Sequence, residues 1–272
     1  MKTISKTLNF HLTKACNYKC GFCFTTFEDL KEKGLSKEEH FAIIEMIAES
    51  PDFDKINFTG REPTLVKHLP ELIEYAKKLG LKTGMITNGA LLTDTFLLKV
   101  APNLESIIIS IDSFYHETNL KIGRSSRNQT LDFQYYLRLS KFFKDHYIKF
   151  KVNTVANRYN INEVLTDKIN ILTPERWKIQ RVTRIDGQNE KKFQEFAIDD
   201  LEFQKFVERN EKHLSKTIKL SKFDTEDVMK SYILMDPLGR LYTDSNGHHT
   251  YTASVLDISL ETALLQLKTF LS

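Results

Sequence analysis

The run Thr7-Leu8-Asn9-Phe10-His11-Leu12-Thr13-Lys14-Ala15-Cys16-Asn17-Tyr18-Lys19-Cys20-Gly21-Phe22-Cys23-Phe24 begins as a β-strand and ends as a cysteine-bearing loop. Residues two apart on a strand share a face, so Asn9 and His11 look one way while Phe10 and Leu12 look the other. The chain's three cysteines all lie in this loop, and none occurs elsewhere in its 272 residues. An odd, clustered set is no disulfide framework. Three thiolates can hold three irons of a cubane cluster, leaving the fourth iron open to a reactant, whereas four-iron electron carriers use four cysteines. Structural zinc is the alternative, and its fourth ligand would have to be His11 or His40, neither of which has zinc-ribbon spacing.

Working outward, short β-like runs alternate with helical ones. Strands are expected at Thr7–Leu12, Lys55–Thr59, Lys82–Thr87, Ser106–Asp112, Lys149–Val155 and Arg176–Ile185. Between them, helices are expected at Ser36–Ser50, Leu69–Leu79, Thr93–Val100, Leu131–Lys144 and Ile161–Ile171. The first opens on a capping box, Ser36 with Glu39, and the second stops at Gly80. Such alternation predicts a parallel sheet with right-handed helical crossovers, an α/β fold. Its simplest form is a partial, TIM-like (β/α)6 barrel, incomplete against the eight units of a full barrel. Residues 1–190 would form this core. Residues 191–272 would be a C-terminal extension packing on it, with a helix near Ile198–Leu214, a hairpin over Ser231–Tyr242 turning at Asp236-Pro237-Leu238-Gly239, and a last helix near Leu260–Leu271.

Composition narrows the class. With 41% hydrophobic and 28% charged residues the chain can build a core, so disorder is excluded. A net charge of +3 does not announce a nucleic-acid binder. There is no run of about 18 apolar residues and no apolar leader-like start. The expectation is a soluble, cytoplasmic, monomeric protein that neither binds nucleic acid directly nor enters a membrane.

Parallel barrel strands normally read as continuous apolar runs. Here one face carries Asn9 and His11, then Lys55, Asn57 and Thr59, then Lys151 and Asn153, then Arg176 and Lys178. Their neighbours Phe10, Leu12, Ile56, Phe58, Phe150, Val152, Trp177 and Ile179 suit the helix-facing side. Four cations turned into a barrel lumen are untenable without an anion, because burying an unpaired charge costs several kcal/mol. A nucleoside triphosphate, with about four negative charges, fits Arg and Lys donors. There is no Walker-type glycine loop, so side chains would hold the phosphates.

The spacing C-x3-C-x2-C, with an aromatic before the last cysteine, resembles the radical S-adenosylmethionine (SAM) superfamily. That resemblance implies a [4Fe-4S] cluster on Cys16, Cys20 and Cys23, whose open iron binds SAM and cleaves it to a 5′-deoxyadenosyl radical. Gly60-Arg61-Glu62-Pro63 stands where the superfamily has Gly-Gly-Glu-Pro near the SAM amino group, with Arg61 in place of glycine. Ser110, Arg124 and Asn88 resemble its further SAM contacts. Longer runs are similar to viperin and the prokaryotic viperin-like enzymes: the cysteine stretch itself, Lys55-Ile56-Asn57-Phe58, Ile109-Ser110-Ile111-Asp112-Ser113-Phe114, Lys151-Val152-Asn153-Thr154, Arg176-Trp177-Lys178 and Met235-Asp236-Pro237-Leu238-Gly239-Arg240.

This family resemblance implies a lyase of antiviral, anti-phage defence. It would turn CTP, UTP or GTP into a 3′-deoxy-3′,4′-didehydro chain terminator, with a donor such as flavodoxin or ferredoxin supplying electrons. It implies that Lys55, Lys151, Arg176 and Lys178 hold the triphosphate. Asn9, Asn153 and Tyr232 would then lie near ribose or base, Asn57 would also meet the substrate, and Tyr232 and lumen waters are the candidates to protonate the leaving hydroxyl. Competing readings are a radical SAM enzyme acting on a peptide or another small metabolite, and a non-catalytic nucleotide sensor on a decayed barrel.

Overall fold

Six runs, most of them alternating apolar and polar residues, form the expected strands in the computed structural model, which describes residues 7–223 and 233–271. They are β1 (Thr7–His11), β2 (Lys55–Thr59), β3 (Lys82–Thr87), β4 (Ser106–Ser110), β5 (Lys149–Ala156) and β6 (Arg176–Arg181). They lie side by side in chain order and all parallel. The intervening helices are α1 (Lys37–Glu49), α2 (Leu69–Lys78), α3 (Asp94–Val100), α4 (His116–Ile122), α5 (Phe133–Asp145) and α6 (Thr166–Leu172). In the capping box of α1, the Glu39 N–H donates to Ser36 Oγ at 3.2 Å and the Ser36 N–H to Glu39 Oε2 at 2.7 Å. Each pair satisfies amides that a helix start leaves open.

The strand phase is as expected. Phe10, Ile56, Phe58, Val152, Trp177 and Ile179 are fully buried in one apolar core with Ile43, Ile47, Leu72, Ile73 and Phe143 of the helices. The Trp177 indole donates to Thr154 Oγ1 at 2.9 Å, so its one polar atom is satisfied inside that core. The opposite faces of the strands turn polar groups toward the barrel interior, in register: Asn9 beside Asn57, and Asn153 between Ser110 and Lys178.

The sheet does not stop at six strands. Among the described residues it has ten, in the order β10-β9-β8-β1-β2-β3-β4-β5-β6-β7. β7 (Lys219–Phe223) adds parallel to β6, and β8 (Ile233–Met235) adds parallel to β1. β9 (Arg240–Thr243) and β10 (Thr250–Ser254) follow antiparallel. The expected turn at Asp236–Gly239 joins β8 to β9, with Asp236 Oδ1 accepting from the Leu238 and Arg240 N–H groups at 2.9 Å each. Helices α7 (Glu190–Phe196), α8 (Asp200–Glu211) and α9 (Leu260–Phe270) complete the elements of the described residues.

Of the boundaries that differ from the expected ones, three are instructive. The helix expected from Ile161 begins at Thr166, because Asn157 and Asn160 capture the chain in a turn: Asn160 Oδ1 accepts from the Asn157 N–H at 2.8 Å. Such side-chain bonds compete with helix formation. The strand expected to reach Ile185 ends at Arg181, and the Ile185 N–H turns to Asn189 Oδ1 at 2.9 Å. The strand expected to reach Asp112 ends at Ser110, which frees the Asp112 side chain for other contacts.

Gly84 leaves room for the polar pair beside it, for a Cβ there would overlap Asn57 Oδ1 and stand 2.9 Å from Ser106 Oγ. Gly84→Ala is expected to break the 2.8 Å bond from Asn57 Nδ2 to Asn9 Oδ1. Overpacking of this kind costs about 1–3 kcal/mol, read as a lower urea midpoint with an unchanged slope.

Candidate active site

The carboxyl end of β1 runs directly into the cysteine loop, which is tied down on two sides. The Lys19 and Gly21 N–H groups donate to Gly123 O at 3.1 Å and Ile122 O at 3.0 Å, at the end of α4. Asn189 Nδ2 donates to Phe22 O at 3.0 Å, and the Phe27 N–H to Gln188 Oε1 at 2.7 Å. Gln188 and Asn189 drew no notice in the sequence, where nothing links them to a loop some 160 positions away.

Cys16, Cys20 and Cys23 all line one cavity of about 390 Å³ inside the barrel. Burial pushes the Cys16 thiol up, and pushes Cys20 up to about 12 despite the nearby Arg124. A thiolate in this setting needs a metal or a donor, and donors stand beside Cys16. The Tyr18 N–H points at Cys16 Sγ at 3.2 Å, and Asn88 Nδ2 lies 3.9 Å from it. Among the described residues no three His, Cys, Asp or Glu side chains close on one point, as a single ion would require. A cubane instead takes one thiolate per iron, so the donor set fits a cluster. His40 is no fourth ligand: its Nδ1 lies 3.0 Å from His68 Nε2, away from the cavity lining.

Gly60, Arg61, Asn88, Ser110 and Arg124 line the same cavity. Gly60 has φ +137°, and a Cβ there would sit 2.9 Å from Thr13 O. The position that demands glycine is therefore 60, while Arg61 is not among the residues with positive φ. Its N–H donates to Thr13 O at 3.1 Å and its Nη1 to Lys14 O at 3.4 Å. Arg124 forms a buried ion pair with Asp112. Burial works against the Arg124 charge, but Asp112, together with the nearby Cys20 and Tyr136, outweighs it and raises the guanidinium pKa.

Glu62 stands apart from this group: it is fully buried and does not line the cavity. Its Oε1 accepts from Thr64 Oγ1 at 2.6 Å and Thr87 Oγ1 at 2.7 Å, and its Oε2 from the Asn88 N–H at 2.8 Å. Burial pushes its carboxyl up while these bonds pull it down. Asn88 in turn donates to Asn17 Oδ1 at 2.7 Å, so Glu62 orders the wall rather than forming it.

All nine residues expected on the lumen face line the cavity: Asn9, His11, Asn57, Thr59 and Asn153, with Lys55, Lys151, Arg176 and Lys178. Tyr232 lies outside the described residues. Lys55 Nζ donates to Ser106 Oγ at 3.0 Å. Burial, then Lys151 and Arg176, lower Lys55 to about 8, and burial followed by Arg176 lowers Lys151. Arg176 Nε is buried without a partner among the described residues. Lys178 is 4% exposed, with Nζ 4.1 Å from the Phe223 ring centroid. Phe24, Gln180 and Asp244 also line the cavity and were missed. Gln180 continues the spacing-two series Arg176, Lys178 and was legible in principle, whereas Asp244 arrives from β9.

A profile of the Radical SAM superfamily matches residues 10–166. The S-adenosylmethionine-dependent nucleotide dehydratase of Flammeovirga pacifica is 37% identical over 265 residues, covering 96% of this chain and 90% of that protein. The S-adenosylmethionine-dependent nucleotide dehydratase RSAD2 of Danio rerio is 33% identical over 274 residues, covering 96% and 74%. The chain belongs to the radical SAM superfamily and, within it, to the family of these relatives. The crystal structure of Streptococcus suis SuiB bound to S-adenosylmethionine shares the fold, with a TM-score of 0.73 at 13% identity over 96% of this chain and 66% of that one. Membership brings with it a [4Fe-4S] cluster and SAM as cofactors. No described helix is long and apolar enough to cross a membrane.

Cys20→Ala is expected to abolish the iron–sulfur charge-transfer absorption of the reconstituted protein and all SAM cleavage. Retention of full iron and sulfide by that variant would contradict the ligand set.

Proposed function

We propose that this chain is a SAM-dependent nucleotide dehydratase. It converts a nucleoside triphosphate to its 3′-deoxy-3′,4′-didehydro form, a chain terminator suited to antiviral defence. The observation that carries this reading is one cavity bounded by two unlike sets of groups. Three thiols lie past the carboxyl end of β1, and cations lie on β2, β5 and β6, two of them, Lys55 and Arg176, at the first residues of their strands. When bound, the cluster and SAM supply a 5′-deoxyadenosyl radical able to take hydrogen from the sugar.

The chain's own residues then hold and orient. Cys16, Cys20 and Cys23 take the cluster. Gly60, Arg61, Asn88, Ser110 and Arg124 receive SAM, with Glu62 fixing Asn88 from behind. Lys55, Lys151, Arg176 and Lys178 grip the triphosphate at a distance from the reacting carbon. Asn9, Asn57 and Asn153 flank the ribose. Remote contacts of this kind spend binding energy on positioning, and a closed lumen keeps water from the radical. Tyr232 is the candidate to protonate the departing 3′-hydroxyl. Residues 191–272 close the nucleotide site over the 1–190 core. The protein acts as a cytoplasmic monomer, with a flavodoxin- or ferredoxin-like electron donor.

The test is anaerobic: reconstituted protein, dithionite and SAM, with CTP, UTP, GTP and ATP offered separately. Formation of 5′-deoxyadenosine together with a nucleotide lighter by one water supports the reading, and 5′-deoxyadenosine with no altered nucleotide overturns it. Lys151→Ala and Arg176→Ala should each weaken nucleotide binding about ten- to hundredfold, the worth of one charge-assisted hydrogen bond, with cluster content unchanged. Equal turnover by both variants would remove the phosphate assignment.

A further inference from the structure

Asp244 follows β9 directly and is 2% exposed, yet it lines the cavity. Its own backbone amide aside, no hydrogen bond to its carboxylate comes from the described residues, and burial raises its pKa to about 6 against the field of Lys178. A buried carboxylate without donors is unfavourable unless a ligand supplies them. It shares the cavity lining with Gln180, and the Asp186 N–H donates to Gly247 O at 2.7 Å, holding the loops after β6 and β9 together. Asp244, Gln180, Phe24 and Val155 meet again around a small recess off the main cavity. The recess itself, about 20 Å³, holds no more than a water, but all four also line the main cavity, where an aromatic ring, a branched aliphatic side chain, an amide and a carboxylate can meet a flat heterocycle with a polar edge. The carboxylate cannot serve the phosphates, which it would repel. The field of Lys178, a member of the proposed phosphate set, acts on it.

We propose that Asp244, with Gln180, reads the substrate's base and selects guanine, an inference that rests on the nucleotide dehydratase reading. Guanine's Watson–Crick edge has two adjacent donors, N1–H and the 2-amino group, one for each carboxylate oxygen. Its O6 accepts from the Gln180 amide. Cytosine and adenine present one donor beside a ring-nitrogen lone pair, and uracil one donor between two carbonyls, so each turns a lone pair toward the carboxylate. GTP is therefore the preferred nucleotide.

The experiment is a competition in the anaerobic, reconstituted holoenzyme with SAM, offering equimolar GTP, ITP, CTP and UTP and measuring each dehydrated product. ITP keeps N1–H and O6 but lacks the 2-amino group. The unaltered enzyme should favour GTP over ITP by roughly tenfold or more, the loss of one charge-assisted bond, and over CTP and UTP by at least as much. Asp244→Asn, which keeps the shape but offers one acceptor and one donor group, should cut the GTP preference by roughly tenfold. Equal use of GTP and ITP, or a preference for CTP or UTP, overturns the proposal without the variant. An unchanged base ranking in Asp244→Asn also overturns it, as does a higher SAM requirement with that ranking intact, which would assign the carboxylate to SAM. Efficient dehydration of another base leaves the dehydratase reading standing. Absence of any dehydrated nucleotide while 5′-deoxyadenosine forms defeats both.

Discussion

Positive charge confined to the inside of a parallel sheet is the constraint around which this molecule is arranged. Lys55, Lys151 and Arg176 sit on adjacent or facing strands, and no carboxylate among the described residues lies within ion-pair distance of them. Their mutual repulsion and burial appear as lowered lysine pKa values. A fold selected for stability alone would fill these positions with Val or Ile, as barrel interiors usually do. The helix-facing side does follow that rule, and its continuous apolar core is what tolerates the interior charge. Binding an anion would relieve the repulsion and return the lysines to their ordinary range, so substrate binding and local stabilisation are coupled.

The second organising feature is Glu62. A buried carboxylate with four donors, from Thr64 Oγ1, the Thr64 N–H, Thr87 Oγ1 and the Asn88 N–H, locks the loop after β2 to the end of β3. The Glu62 N–H also donates to Ala15 O at 3.1 Å, one residue before the first cysteine. Three strand ends are thereby referenced to one another through a single side chain. The cysteine loop, which has no regular structure of its own, inherits its shape from that network and from the end of α4. This explains how Arg61 can replace a small residue: the backbone demand falls on Gly60, and the arginine side chain lies along Lys14 O.

The strands added at both edges give the site its asymmetry. β8 lies against β1 and β7 against β6, so these strands of the extension continue the barrel sheet at both of its edges. The open seam is bridged by the Asp186–Gly247 contact. Residues from both ends of the chain thus share one cavity, Asn9 and His11 from β1 with Asp244 from beyond β9.

Much of this was legible in the linear chain. Period-two alternation separates Asn9, Asn57, Asn153 and Lys178 from Phe10, Phe58, Val152 and Trp177, because a strand's geometry fixes which side chains share a face. The cysteine spacing named the cofactor chemistry, since one loop can present three thiolates only locally. Capping residues such as Ser36 and Glu39 set a helix start within a few positions. Glu62 was picked out by motif, but its role as a buried hub depends on Thr87 and Asn88, which reach it only when β2 and β3 pair. The edge strands β7 and β10 carry weak patterns because they are partly solvent-facing. Asp244 had no signal at all. Local periodicity and motif spacing, which short-range stereochemistry dictates, gave the sequence command of the barrel, the cluster loop and the cation face. Which distant groups share a cavity, and which buried carboxylate no other described residue donates to, was decided by tertiary closure alone, because burial and hydrogen-bond satisfaction are properties of the folded whole.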